Sequence, residues 1–253
     1  MIRCLLVLAA VLALAACGGG SQAHETTPAT PDHAHEGGHA DEGGHAHEEG
    51  HEHGGHHGGP LGHRFEKAED WAKVFDDPAR DAWQKPAEVV TLSAVSPKMT
   101  VADLGAGTGY FIPYLARAVG PQGKVLALDV EPDMVRYLKE RFAREKIANA
   151  EAAQVPYDDP QLPAGKVDRV LIVDTWHHIP DRPAYVKKLA RGLTPGGRVV
   201  VVDFTLEAEH GPPKHARIPP EKVVEELGQG GLAAEIVKET LPEQYVVVGR
   251  LEK

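Results

Sequence analysis

Residues 101–111 read VADLGAGTGYF. A short apolar run ends in Asp103, glycines follow at 105, 107 and 109, and helix-forming sequence begins directly after. Strand, glycine turn and helix N-terminus, in that order, let backbone come close to a ligand, because glycine has no Cβ to stand in the way.

On either side, strand-like and helix-like segments alternate. Residues 99–104, 124–130, 167–174 and 198–204 are apolar runs with strand character, the last holding four consecutive valines. Between them lie helical patterns: Phe111, Leu115 and Ala118 up to Gly120-Pro121; Met134, Leu138 and Phe142 after Pro132; and Val186, Leu189 and Leu193 after a capping Asp181. Thr194-Pro195-Gly196-Gly197 reads as a turn, 219–227 as a helix, and 233–237 with 245–251 as a terminal antiparallel pair. Upstream, 64–83 is helical in composition and broken at Pro78, and Pro86 opens a further helix. This alternation predicts an α/β fold with a mostly parallel sheet and helices on both faces.

The first quarter of the 253-residue chain is different. Residues 1–16 carry Arg3 and then an unbroken apolar run, too short to span a bilayer and suited to a signal peptide. The run ends in Leu14-Ala15-Ala16-Cys17, which resembles the bacterial lipoprotein signal, in which the cysteine becomes the lipidated N-terminus. That resemblance implies a lipid-anchored protein of the cell envelope, on the periplasmic or outer-membrane side. The other cysteine, Cys4, lies within 1–16, so the processed chain would hold no internal disulfide.

Residues 17–63 form a low-complexity His/Gly/Glu segment, expected to be a disordered tether reaching about 40 Å. It holds eleven of the fifteen histidines and eight acidic residues, with no Lys or Arg. Most of the net charge of −10 therefore sits there, and the remainder is near neutral without a basic stripe for nucleic acid. The pairs His33-His35, His45-His47, His51-His53 and His56-His57 offer imidazoles suited to Zn²⁺, Ni²⁺ or Cu²⁺, as a compositional binder rather than a closed site.

In an open α/β sheet, ligands bind beyond the carboxyl ends of the strands. Asp103 with the glycine turn, Asp129, and Asp174 with Thr175–His178 all fall there. No Gly-Lys-Ser/Thr follows the turn, which removes the P-loop reading, and G-x-G-x-G is not the dinucleotide pattern G-x-G-x-x-G. Asp103 would also sit badly beside a pyrophosphate. An amine with a ribose and no phosphate suits the two carboxylates, and S-adenosylmethionine (SAM) has both groups.

The chain here resembles the class I SAM-dependent methyltransferases, and among them the ubiquinone/menaquinone methyltransferase-like enzymes. The resemblance rests on VADLGAGTGYF (101–111), VLALDVEPDMV (125–135), VDRVLIVDTWHHI (167–179) and LTPGGRVVVVDF (193–204). It implies a seven-stranded sheet with an antiparallel last strand, and methyl transfer from SAM to a small-molecule acceptor. It places Asp103, Gly105 and Gly107 along the methionine and ribose side, Asp129 on the ribose hydroxyls, Val130 and Met134 against the adenine, and Asp174 at the same strand ends. Family members often carry Gly-Asp after the third strand; here the stretch is Gln154-Val155-Pro156-Tyr157-Asp158-Asp159, and Asp158 is the candidate for the adenine amino group. His177 and His178 face the acceptor as candidate base or orienting group, Trp83, Gln84 and Tyr110 are candidates for a lid or acceptor wall, and the resemblance implies a methyltransferase domain over 64–253 with an N-terminal helical lid at 64–96. Since SAM is a cytoplasmic metabolite, the lipoprotein reading requires it to reach the envelope. The competing reading is a tethered lipoprotein that binds a SAM-like ligand or metal without turnover.

Overall fold

The computed structural model describes residues 65–252. The apolar run at 1–16, Cys17 and the histidine pairs between His33 and His57 lie outside the described residues.

Seven strands form one sheet: β1 (Thr100–Leu104), β2 (Lys124–Asp129), β3 (Ala150–Gln154), β4 (Val167–Val173), β5 (Leu193–Phe204), β6 (Ala233–Val237) and β7 (Gln244–Arg250). Their order is β3-β2-β1-β4-β5-β7-β6. Strands β3, β2, β1, β4 and β5 run parallel, and β7 pairs antiparallel with both β5 and β6. The expected mostly parallel sheet with an antiparallel last strand is present.

Among the described residues seven α-helices accompany these strands: α1 (Ala68–Phe75), α2 (Asp81–Gln84), α3 (Pro86–Leu92), α4 (Ile112–Val119), α5 (Pro132–Glu145), α6 (Arg182–Gly192) and α7 (Pro220–Gln229). Because side chains alternate along a strand, adjacent valines of β5 enter opposite layers. Val200 and Val202 pack with Val89 of α3, Ile112 and Leu115 of α4 and Leu138 of α5. Val199 and Val201 pack with Val186 and Leu189 of α6 and Val223 and Leu227 of α7. Both faces of β5 are thus dry, which is why it reads as an unbroken valine run.

Two local features depart from the sequence reading. Thr194–Gly197 does not precede a strand but lies within β5, as an irregularity where Val167 pairs with Leu193 and Arg169 with Arg198. Strand β3, AEAAQ, is a largely exposed edge with no apolar run of its own. The switch point falls where β1 parts connections to β2 and β4, and it gathers the carboxyl ends of β1, β2, β4 and β5.

Candidate active site

Beyond β1 the chain turns through Gly105 (φ +74°) and Gly107 (φ +54°), left-handed conformations that favour glycine. A Cβ at Gly105 would collide with the Thr175 side chain, so this position also needs glycine for close approach to the end of β4. The Gly105 and Ala106 N–H groups donate to the Leu128 carbonyl at 2.8 and 3.1 Å, tying the turn to β2. Asp129, the last residue of β2, accepts the Gly107 N–H at 2.7 Å and the Glu131 N–H at 2.9 Å. One carboxylate therefore fixes both loops.

Four carboxylates converge at these strand ends. Asp103, Asp129 and Asp203 are 3%, 7% and 2% exposed, and Asp174, with φ +53°, lies just past β4. Burial raises Asp103 to about 7, with the Asp129 charge adding and Arg80 opposing. Burial raises Asp129 to about 6 against the N–H bonds of Glu131 and Gly107. Asp174 is raised to about 7 by burial, with Arg80 and His177 opposing and Asp203 adding. A cation placed among Asp103, Asp129 and Asp174 would favour their ionised forms, whereas a phosphate would meet like charge.

The cation facing them comes from the N-terminal segment. Arg80, in the 3₁₀ turn Pro78–Arg80, donates to Asp174 Oδ2 at 3.1 Å, to Gln84 Oε1 at 2.8 Å and to the Phe75 carbonyl at 3.0 Å. Its guanidinium lies 4.2 Å from the Tyr110 ring centroid and 5.6 Å from that of Trp83. Gln244 donates to Asp174 Oδ1 and accepts from Gln84, closing the network across the start of β7.

The N-terminal helices cover the glycine turn. A Cβ on Gly107 would meet Phe75 at 3.6 Å, and Asp76 accepts from Thr108 Oγ1 and from Arg141, each at 3.0 Å. Trp71 stacks on Phe75 at 5.3 Å, and Phe65 stands edge-on to His178 at 5.8 Å. Tyr110 donates to Asp81 of α2, and Trp83 stacks on His210 at 5.4 Å while packing near Phe204. Trp83 is half-buried at this edge rather than deep in the core.

His177 occupies the 3₁₀ turn Trp176–His178 after β4. Its Nδ1 sits 3.0 Å from both Asp203 oxygens at the end of β5. The two histidine rings are 4.2 Å apart, His177 buried and His178 half-buried toward the aromatic lid.

Residues 101–197 match the model of a methyltransferase domain. A SAM-dependent methyltransferase structure from Aquifex aeolicus is 28% identical, with a TM-score of 0.68 over 72% of this chain and 97% of that one. Residues 101–197 carry a methyltransferase domain, on a fold shared with that SAM-dependent enzyme. Ubiquinone/menaquinone biosynthesis C-methyltransferases from Pseudomonas putida and Pasteurella multocida are 28% and 29% identical over 117 residues. That alignment spans 46% of this chain and 46% and 44% of the two relatives, so the chain matches about half of their length.

Within the methyltransferase domain, the structure brings together Asp103, Gly105, Gly107, Asp129, Asp174 and His177 at one set of strand ends. Val130 is partly buried and receives the Gln154 side-chain N–H on its carbonyl at 3.1 Å. Met134 is 1% exposed on the buried face of α5. The side chain of Asp158 is 76% exposed and pairs with Lys188 of α6 at 3.4 Å. Arg80, Asp203 and Gln244 were not singled out by sequence. Asp203 ends the valine run of β5 and could have been found as a strand-end acid; nothing local marks the other two. Among the described residues no group of three His, Cys, Asp or Glu side chains is arranged to hold a metal ion.

Proposed function

We propose that the chain transfers the methyl group of SAM to a small-molecule acceptor, and that it does so tethered to a bacterial envelope membrane through Cys17. The observation that carries the reading is the convergence of Asp103, Asp129 and the left-handed glycine turn at the switch point. A sulfonium and an ammonium fit among buried acids, and a ribose offers hydroxyl donors to Asp129. SAM, when bound, supplies an electrophilic methyl on sulfur. The chain's own residues orient the two reactants and exclude water, which supplies most of the acceleration in an in-line transfer. Asp103 faces the ammonium, Asp129 holds the ribose edge, Phe75 and Trp71 cover the turn, and His177 or His178 meets the acceptor. The helices of 65–92 act as the lid.

The Aquifex aeolicus protein supports this reading with nearly its whole length matched, and the two C-methyltransferases support it over 117 residues. The tether reading extends the proposal. Residues 17–63 would hold the domain at a distance from the bilayer, and their histidines would collect Zn²⁺, Ni²⁺ or Cu²⁺ without forming part of the methyl-transfer site.

The test is transfer of label from methyl-tritiated SAM to small molecules in a cell extract, using the full chain in detergent. The expected result is a labelled small molecule formed by the natural chain and not by Asp129→Ala. Label transfer of equal extent by both forms would place the activity outside this site.

A further inference from the structure

We propose that Asp203 is a positioning residue that fixes His177 as a base, and that the acceptor is consequently one whose attacking atom must lose a proton, such as a hydroxyl or an acidic carbon. The proposal rests on the methyltransferase reading and deepens it.

Asp203 Oδ1 accepts the Phe204 N–H at 2.8 Å, and both oxygens lie 3.0 Å from His177 Nδ1. A carboxylate serving as acceptor toward each of these partners assigns the ring proton to Nδ1, so the lone pair is left on Nε2. Among the described residues no side chain or backbone group is hydrogen-bonded to Nε2, although His177 is only 8% exposed. A buried imidazole with one nitrogen locked and the other unpartnered is arranged to accept a proton.

The surroundings hold the ring where it is. The neighbouring Trp176 is fully buried and donates its indole N–H to Glu226 of α7 at 3.0 Å. Arg182 of α6 binds the same carboxylate through two N–H groups at 2.8 and 3.0 Å. The turn carrying His177 is thus pinned from two helices, while Asp203 is pinned by β5. An acceptor such as a tertiary amine or a thioether has its lone pair ready and gives this apparatus no proton to take.

Nε2 takes the proton from the acceptor O–H or C–H, and the freed electron pair forms the new bond to the methyl carbon. The carbon–sulfur bond breaks with its pair going to sulfur, which becomes a neutral thioether. The imidazolium, held against Asp203, afterwards passes its proton to water.

The experiment has two arms on the full chain. In the first, two-bond ¹H–¹⁵N spectra of ¹⁵N-histidine-labelled protein read the His177 tautomer, with the resonance identified by its loss in His177→Gln. The natural chain should show the Nδ1–H form. In Asp203→Asn the amide oxygen stays with the Phe204 N–H and the amide nitrogen donates to Nδ1, so the ring should switch to Nε2–H. In the second arm, the demethylated product of SAM is measured with four probes: phenol, acetylacetone, trimethylamine and dimethyl sulfide. Phenol or acetylacetone should be methylated, with kcat at least about 100-fold lower in Asp203→Asn and the SAM dissociation constant unchanged within twofold. An Nε2–H ring in the natural chain, an unaltered kcat in Asp203→Asn, turnover of only the amine or thioether, or turnover of none despite SAM binding would overturn the proposal. Absence of SAM binding by the natural chain would instead remove the reading on which it rests.

Discussion

The acid cluster predicts that SAM affinity depends on pH through Asp103. In the ligand-free chain burial holds this carboxyl at about 7, so a large share is neutral at neutral pH. A neutral acid cannot pair with the methionine ammonium, so binding selects the ionised form and releases a proton. If only that form binds, the dissociation constant at pH 6 is about tenfold weaker than at pH 8, equivalent to about 1.4 kcal/mol. Asp129, held at about 6, adds a factor of about two at the acidic end. Calorimetry of the full chain at half-unit steps between pH 6 and 8, in two buffers of different ionisation enthalpy, reads both the affinity and the proton count. About half a proton should be released per SAM near pH 7. Arg80 opposes the upward shift of Asp103, so Arg80→Gln should move the affinity midpoint to higher pH. Affinity independent of pH across this range, with no net proton release, would refute the assignment of Asp103 to the ammonium.

Three further outcomes are expected. Stability of the ligand-free chain should fall as pH rises: Asp103, Asp129 and Asp174 titrate at about 7, 6 and 7 when folded against 3.8 ordinarily, so they keep protons that the unfolded chain has lost. Their contribution is complete below about pH 4 and is lost as pH rises through about 7; Asp103 alone accounts for about 3 kcal/mol between pH 5 and 8, a Tm lower by about 10 °C by scanning calorimetry. Gly105→Ala should lower urea stability by at least about 2 kcal/mol, since φ is +74° and Thr175 fills the Cβ position; an unchanged midpoint would contradict this packing. Deleting residues 24–63 should abolish most Zn²⁺ and Ni²⁺ uptake by equilibrium dialysis and leave SAM affinity unchanged, whereas equal uptake by the shortened chain would remove the metal role of the tether.

The elements legible in the sequence were those whose environment is uniform along their length. The 199–204 part of strand β5 is buried on both faces, and its valine run shows this directly. Helix α5 buries Met134, Leu138 and Phe142 at four-residue spacing, and its first turn starts at Pro132. Strand β3 has no comparable signature, since AEAAQ is built of good helix formers and is held as a strand by pairing with β2 at the sheet edge. Asp103 and Asp129 were readable because an acid closing an apolar run marks a strand end. Arg80 was not, because its partner Asp174 lies 94 residues away and the contact depends on how the N-terminal helices fold over the sheet. Asp158 pairs with the ammonium of Lys188, 30 residues on, a contact that no local pattern announces.

These strand ends are expected to bind SAM, which calorimetric titration of the full chain with SAM and with S-adenosylhomocysteine, beside Asp129→Ala, reads without an acceptor. Losing Asp129 would remove the acceptor of the Gly107 and Glu131 N–H groups as well as the ribose contact, so affinity for both ligands should fall at least about 100-fold. No heat from either ligand with the natural chain, or equal affinity in the variant, would contradict the account.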